Sequence, residues 1–182
     1  MKSNNWSVIT AGPSAGKSST IRELSSRGYR TAPEAARIVF DQAISEGRDP
    51  ADVREDDDFH EQVEAIDWRN IHNMPTDEVV FFDRSLVDNL AYRRRFGNMD
   101  PDAIDSIIQT GMTMFDCVFL LDRIEFEDDE VRVEDEEEAQ EIHEALRKAY
   151  SDIGHNVIEV PVMPVDERAD FIEDRIQRVA IH

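Results

Sequence analysis

Ala11-Gly12-Pro13-Ser14-Ala15-Gly16-Lys17-Ser18 is the stretch on which the reading of this chain turns. The apolar run Trp6 to Thr10 leads into it, and Ser19 to Arg27 leaves it as a helix with Ile21 and Leu24 three apart. Strand, glycine-punctuated turn and helix N-terminus in that order make a phosphate-binding loop. Gly12 and Gly16 let the backbone turn its N–H groups inward. Lys17 brings a point charge to the β- and γ-phosphates, and the Ser18 hydroxyl is offered to Mg²⁺. The expected ATP contacts are therefore Gly12, Pro13, Ser14, Ala15, Gly16, Lys17, Ser18 and Ser19. Ala11 stands where the pattern has its first glycine, a departure the pattern tolerates.

Outward from the loop, helices and short apolar runs alternate. Gly28 stops the first helix, and Tyr29 to Ala32 reads as a strand ending at Pro33-Glu34. Helices are expected over 34–46 and 59–74, with a polar connection or lid-like loop over 49–58 between them. Glu78 to Asp83 is an apolar strand closed by an acid. Helices over 86–96 and 101–111, a strand over 115–121, a helix over 136–151, a strand over 156–160 and a helix over 166–179 complete the order. This alternation predicts an α/β fold: a three-layer, doubly wound parallel sheet of about five strands, within one domain spanning 1–182.

The 182 residues carry a formal charge of −21, with 41 acidic residues against 20 basic ones. Arginine supplies nearly all of the positive charge; Lys2, Lys17 and Lys148 are the only lysines. Acidity spread along the whole chain, with lysine almost eliminated, points to a halophilic host in which carboxylates keep the surface hydrated. Such a surface repels phosphate backbones, so nucleic acid is not an expected partner. The sole cysteine, Cys117, lies in an apolar run and reads as a buried thiol. The histidines show no ligand spacing, and no apolar segment has the length of a leader or a membrane span, which makes the expected location cytoplasmic. Oligomeric state, monomer or dimer, is left open.

Ligands of parallel sheets bind at the carboxyl ends of the strands. There the sequence gathers the loop, Glu34, Asp83-Arg84, Asp122-Arg123 and the acidic, lid-like segment 123–137. Asp83 ends its apolar strand as a Walker B acid does, able to accept from Ser18 or to hold Mg²⁺; an acidic helix cap is the other reading. Glu34, at the end of a strand taken to adjoin the loop, is a candidate general base or nucleophile-orienting group, against a plain helix-start carboxylate. Arg84, Arg37 and at least one of Arg93, Arg94 and Arg95 are candidates to face the acceptor, with surface ion pairs as the alternative. Arg132 is the preferred lid arginine, against an ion pair with Glu130 or Glu134. Phe59, Trp68 and Tyr92 either stack on a planar acceptor or pack in the core.

Beyond the loop, Arg-Gly-Tyr-Arg at 27, Pro-Glu-Ala-Ala-Arg at 33, Phe-Phe-Asp-Arg-Ser at 81, Asp88 with Ala91-Tyr92, Val-Arg-Val-Glu at 131, and Tyr150 with Gly154 and Val160-Pro161 run through nearly the whole chain. In these the chain resembles the small AAA-domain family of P-loop ATPases and kinases. That family is similar to the kinase domain of bifunctional nicotinamide-ribose regulators and, more distantly, to nucleoside and nucleotide kinases. The resemblance implies ATP with Mg²⁺, Glu34 and Asp83 as active-site acids, and Arg84 and Arg132 near phosphates; it does not imply a ring-forming motor. The expected function is transfer of the ATP γ-phosphoryl group to a small acceptor of nucleoside, nucleotide or riboside type, with Lys17, Glu34, Asp83, Arg84 and Arg132 as the catalytic set. The alternative is an ATPase that switches a protein partner, with water as acceptor.

Overall fold

A computed structural model describes residues 5–13, 15–96, 101–112, 114–123 and 133–179, and only the backbone at 94–96, 101–103, 106, 133–137 and 179. In chain order the elements are β1 (Trp6–Ala11), α1 (Lys17–Ser26), β2 (Arg30–Ala32), α2 (Ala35–Ser45), α3 (Pro50–Arg54), α4 (Phe59–Asn73), β3 (Val80–Asp83), α5 (Leu86–Phe96), α6 (Pro101–Gly111), β4 (Cys117–Leu121), α7 (Val133–Asp152), β5 (Val157–Val160) and α8 (Val165–Val179). The five strands form one parallel sheet in the order β2-β3-β1-β4-β5. The expected fold class is the observed one.

Alternation along the strands divides the core in two. Trp6 and Val8 of β1, Val80 and Phe82 of β3, and Val118 and Leu120 of β4 point one way, onto Val87, Ala91, Leu146 and Tyr150 of α5 and α7. Ile9, Ala11, Phe81, Phe119 and Leu121 point the other way, onto Leu24 of α1 and Ala169 and Ile172 of α8. β1 is buried along its whole length because it has a strand on either side and helices on both faces. Each face therefore takes alternate residues, and the run reads as continuously apolar.

The segment 49–58, expected to be a loop or lid, contains a helix instead. The Asp49 carboxylate accepts the Ala51 N–H at 2.8 Å, and Pro50 sits at the first helical position where its missing N–H costs nothing. Val53 then buries itself with Val39 of α2 and Phe59 and Val63 of α4. This packing ties the segment to its neighbours.

Candidate active site

The carboxyl ends of β1, β2 and β3 converge on Lys17. β1 runs into the loop, and Gly16, at φ 76° in the left-handed region, turns the chain into α1. Gly12 has another reason to be glycine. A β-carbon there would lie 3.2 Å from the Ala139 carbonyl oxygen of α7, so the loop is packed tightly under that helix. Behind the loop, buried Arg168 of α8 donates through Nη1 to the Ala15 carbonyl at 2.9 Å and to Thr20 Oγ1 at 3.3 Å, tying the loop to the start of α1. Ser18 and Ser19 are exposed at the start of α1. Ser14 lies outside the described residues.

Lys17 Nζ is held between two carboxylates, Glu34 Oε2 at 2.8 Å and Asp83 Oδ1. Sequence reasoning offered Ser18 as the partner of Asp83; among the described residues that partner is Lys17. It also placed the Glu34 strand next to the loop strand. In fact β3 lies between β1 and β2, and Glu34 spans the gap with its side chain. Glu34 precedes the first turn of α2, but its carboxylate makes no capping hydrogen bond there. It turns to Lys17 and to Arg84, whose Nε donates to Oε1 at 3.0 Å, so a plain helix-start role does not describe it. Burial pushes the Glu34 carboxyl up, but Arg84 and Lys17 together outweigh burial and hold it below the usual carboxylate range. At Asp83 the balance goes the other way: burial raises its carboxyl despite Lys17.

Arg84 adopts φ 68°, rare for a residue with a β-carbon and costing on the order of 1 kcal/mol. The turn ends β3 abruptly while the Arg84 N–H still reaches the Ile9 carbonyl at 3.1 Å. Its Nη1 donates to Asp88 Oδ1 at 3.3 Å, and the guanidinium lies over the Tyr92 ring, 5.4 Å from the centroid. Burial works against this cation, but Tyr92, Asp88, Glu34 and Asp83 more than offset it and keep it charged.

Asp88 was named in the sequence only as part of a pattern, and it is a hub. Ser85 and Asp88 form a capping box at the start of α5: Ser85 Oγ accepts the Val87 N–H at 3.2 Å, and Asp88 Oδ2 accepts the Ser85 N–H at 3.0 Å. Thr10 of β1 donates to Oδ1, and the Tyr150 hydroxyl of α7 donates to Oδ2 at 2.5 Å. Burial, then Asp88, push the Tyr150 phenol well up, so it remains a donor.

α4 supplies the far wall, where sequence reasoning missed two residues. Asn70 is buried, and its amide donates to the Pro33 carbonyl at 2.9 Å, fixing the turn that carries Glu34. Asp67, one turn earlier on the same face, is also buried. The signal was present: Phe59, Val63, Asp67 and Asn70 continue one helical stripe that begins apolar, so the last two occupy core positions.

Other expectations resolve differently. Arg37 is 72% exposed and pairs with Asp41, so it is a surface residue and not part of the site. Arg93 is buried but committed to Glu61 at 2.9 Å and Glu64 at 3.1 Å of α4. Phe59 stacks on Phe40 in the packing between α2 and α4, while Trp68 packs against Leu86, Leu90 and Ile107. Burial raises the Cys117 thiol, as suits a core residue. The side chains of Arg94 and Arg95, and Arg132 with segment 124–132, lie outside the described residues. No helix among the described residues is long and apolar enough to cross a membrane.

Comparison with known proteins agrees with this geometry at the level of fold. The NadR protein in complex with NR superposes with a TM-score of 0.64 at 16% identity, over 96% of this chain and 50% of that one. The chain thus spans about half the length of the NadR chain it matches. YorR from Bacillus subtilis, in complex with phosphorylated GDP, superposes at 0.59 and 14% identity, over 97% and 98% of the two chains. Thymidylate kinase from Ehrlichia chaffeensis does so at 0.58 and 10% identity, over 94% and 97%. No curated protein matches the sequence. Residues 6–168, from the first strand to the arginine behind the loop, match the family described as AAA domain; the architecture is that of P-loop NTPases and kinases, and the chain belongs to that family.

Proposed function

We propose that the chain is an ATP-dependent phosphotransferase acting on a small hydroxylic acceptor. The observation that carries this reading is Glu34, held by Arg84 within 2.8 Å of the loop lysine. A carboxylate there can orient an acceptor hydroxyl toward a γ-phosphoryl group lying on Lys17. Phosphates entering the loop compete with Glu34 and Asp83 for Lys17 Nζ, and as they win, Glu34 Oε2 is released to take the acceptor proton. Phosphoryl transfer asks mainly for alignment and charge stabilisation, so a carboxyl held low is adequate as an orienting group. Arg84 fixes Glu34, and Asp88 fixes Arg84. The buried wall of α4 and α5 beside Glu34 favours an acceptor other than water. The NadR, YorR and thymidylate kinase folds, with the ligands or activity of those proteins, add that nucleosides, ribosides and nucleotides are the classes to try first.

Mg²⁺ fits the residues present. Ser18 and Asp83 offer the hard oxygen donors that it prefers, and no group of three or more His, Cys, Asp or Glu side chains among the described residues could hold a metal. Two protein oxygens suit an ion that arrives with ATP, which would supply charge neutralisation at the phosphates. The deciding experiment incubates the protein with ATP, Mg²⁺ and candidate acceptors and follows ADP and phosphorylated acceptor by mass spectrometry. Stoichiometric transfer is expected; ADP formed with inorganic phosphate alone would establish a hydrolase.

The milieu we propose is a high-salt cytoplasm, supported by the charge of −21 with three lysines. Uncompensated carboxylates repel over a screening length that shrinks from about 30 Å at 0.01 M salt to about 3 Å at 1 M. The melting midpoint should therefore rise across a KCl series; a flat or falling midpoint would remove the proposal.

A further inference from the structure

A buried cation lies beneath the phosphate loop. Arg168 of α8 is 2% exposed, and among the described residues no carboxylate pairs with it. Arginines elsewhere do take carboxylates: Arg84 takes Glu34 and Asp88, and Arg27 takes Asp170 and Glu173 of α8 itself. Arg168 turns from the acids of its own helix to oxygens that carry no net charge. Its Nη1 donates to the Ala15 carbonyl at 2.9 Å and to Thr20 Oγ1 at 3.3 Å, and its Nη2 to the Met163 carbonyl at 3.4 Å; Nε is buried and meets no acceptor. Burial works against the charge, and Asp122 is the single group acting to hold it. A cation so placed is costly to the fold, and Ala169 and Ile172 beside it show what packing alone would put there.

The groups it touches account for the cost. A trans peptide is planar, with its C=O and N–H pointing opposite ways. Arg168 draws the Ala15 C=O toward α8, which aims the N–H of Gly16, the other half of that peptide, away from α8. The next peptide is held in the same manner: the Gly16 carbonyl accepts the Thr20 N–H at 3.1 Å and Thr20 Oγ1 at 3.2 Å, which aims the Lys17 N–H out of the start of α1. A positive charge behind a peptide also polarises it, making the Gly16 N–H a stronger donor than an ordinary amide. Resting on the nucleotide half of the phosphotransfer reading, we infer that Arg168 is the positioning residue of the phosphate cradle: it aims the Gly16 N–H at the polyphosphate and, unpaired by any described carboxylate, acts as its counter-charge across one peptide unit. What it serves is the polyphosphate, and neither the base nor the acceptor.

The test measures binding to the full chain by calorimetry with two probes, Mg·ATP and Mg·tripolyphosphate, the second having neither base nor sugar. Arg168→Met, close in length and uncharged, should weaken both by about tenfold or more, and by factors that agree within about threefold. Arg168→Lys, which keeps a cation and a donor, should recover most of that loss. In both variants the KM for ATP should carry the change, with kcat at saturating ATP staying within about threefold. An ATP Kd unmoved in Arg168→Met, equal losses in the two variants, a loss confined to ATP, or a fall in kcat with the KM for ATP unchanged overturns the inference while the phosphotransfer reading stands. A wild-type chain that binds neither probe overturns both. Should the variants fail to fold, the wild-type chain decides: the Gly16 amide resonance should move when Mg·tripolyphosphate is added, and a resonance that stays in place overturns the inference.

Discussion

The nucleotide side and the proposed acceptor side of this site are built from different materials. The nucleotide side is a loop of consecutive residues between β1 and α1, held by backbone geometry at Gly16, by close packing at Gly12 and by Arg168 from behind. The proposed acceptor side is a set of side chains from just beyond β2 and β3 and from α5 that meet only when the sheet has formed: Glu34, Arg84 and Asp88. A loop that cradles phosphates can be the same in proteins acting on many acceptors. A wall of side chains can change its preference one substitution at a time, as suits a fold shared with the NadR, YorR and thymidylate kinase structures at 10–16% identity.

The sharpest way to break this division is Lys17→Ala, which removes the one cation both sides share. Turnover should be abolished and ATP binding weakened, measured under saturating ATP and Mg²⁺ with a circular dichroism control for folding; unchanged turnover would deny the loop its assigned task. Glu34→Gln acts chiefly on the acceptor side, because at the loop it only relieves Lys17 of one competing carboxylate. It should lower kcat for the acceptor reaction by about 10²-fold, the lower end for a proton-handling group, with the KM for ATP unchanged or lower. Parallel losses in both would merge the two sides into one.

The smallest effect is also the most discriminating, because the two carboxyls titrate in opposite senses. Burial and three neighbouring acids raise the folded-state Asp67 carboxyl well above its unfolded value near about 3.9. The native state then binds the extra proton, and stability falls as pH climbs from the unfolded value through the raised folded one. Asp67→Asn abolishes that fall. Its melting midpoint should exceed that of the parent by roughly 3 °C at pH 7, with the gap closing in acid. For Glu34, burial is outweighed by Arg84 and Lys17, so its contribution is present above the unfolded value and is lost as pH drops through the folded one. Glu34→Gln should be less stable than the parent at pH 7, the deficit closing in acid. Midpoints moving in the same direction at pH 7 would show that the two acids are not differently paired.

Legibility followed the same line. The sheet was readable because the buried strands β1, β3 and β4 are largely apolar runs of four to six residues, and the loop because its parts are contiguous. Glu34, Asp83 and Arg84 were placed correctly at strand ends, since a parallel sheet gathers those ends on one edge. Their partners were not legible. That Asp83 would take Lys17 in place of Ser18, or that Arg37 would turn outward to Asp41, depends on which side chains cross from strand to strand. Asp67 and Asn70 are masked in the sequence by the aromatic Trp68 beside them, although an acid on the stripe of Phe59 and Val63 is the stronger anomaly. The helix at Pro50 was hidden by a polar composition that Asp49 and Pro50 turn into a start signal.

Asp88 carries a consequence for how the protein fails. Its carboxylate is met by Thr10, 78 residues earlier, and by Tyr150, 62 residues later, while it caps its own helix and steadies Arg84. A knot tied from such distant parts of the chain cannot loosen locally, and it closes only after β1, α5 and α7 have assembled. The catalytic geometry and the cooperative core should therefore vanish together: in a denaturant titration, loss of activity and loss of ellipticity should trace one curve, with no window in which a folded but inactive protein accumulates.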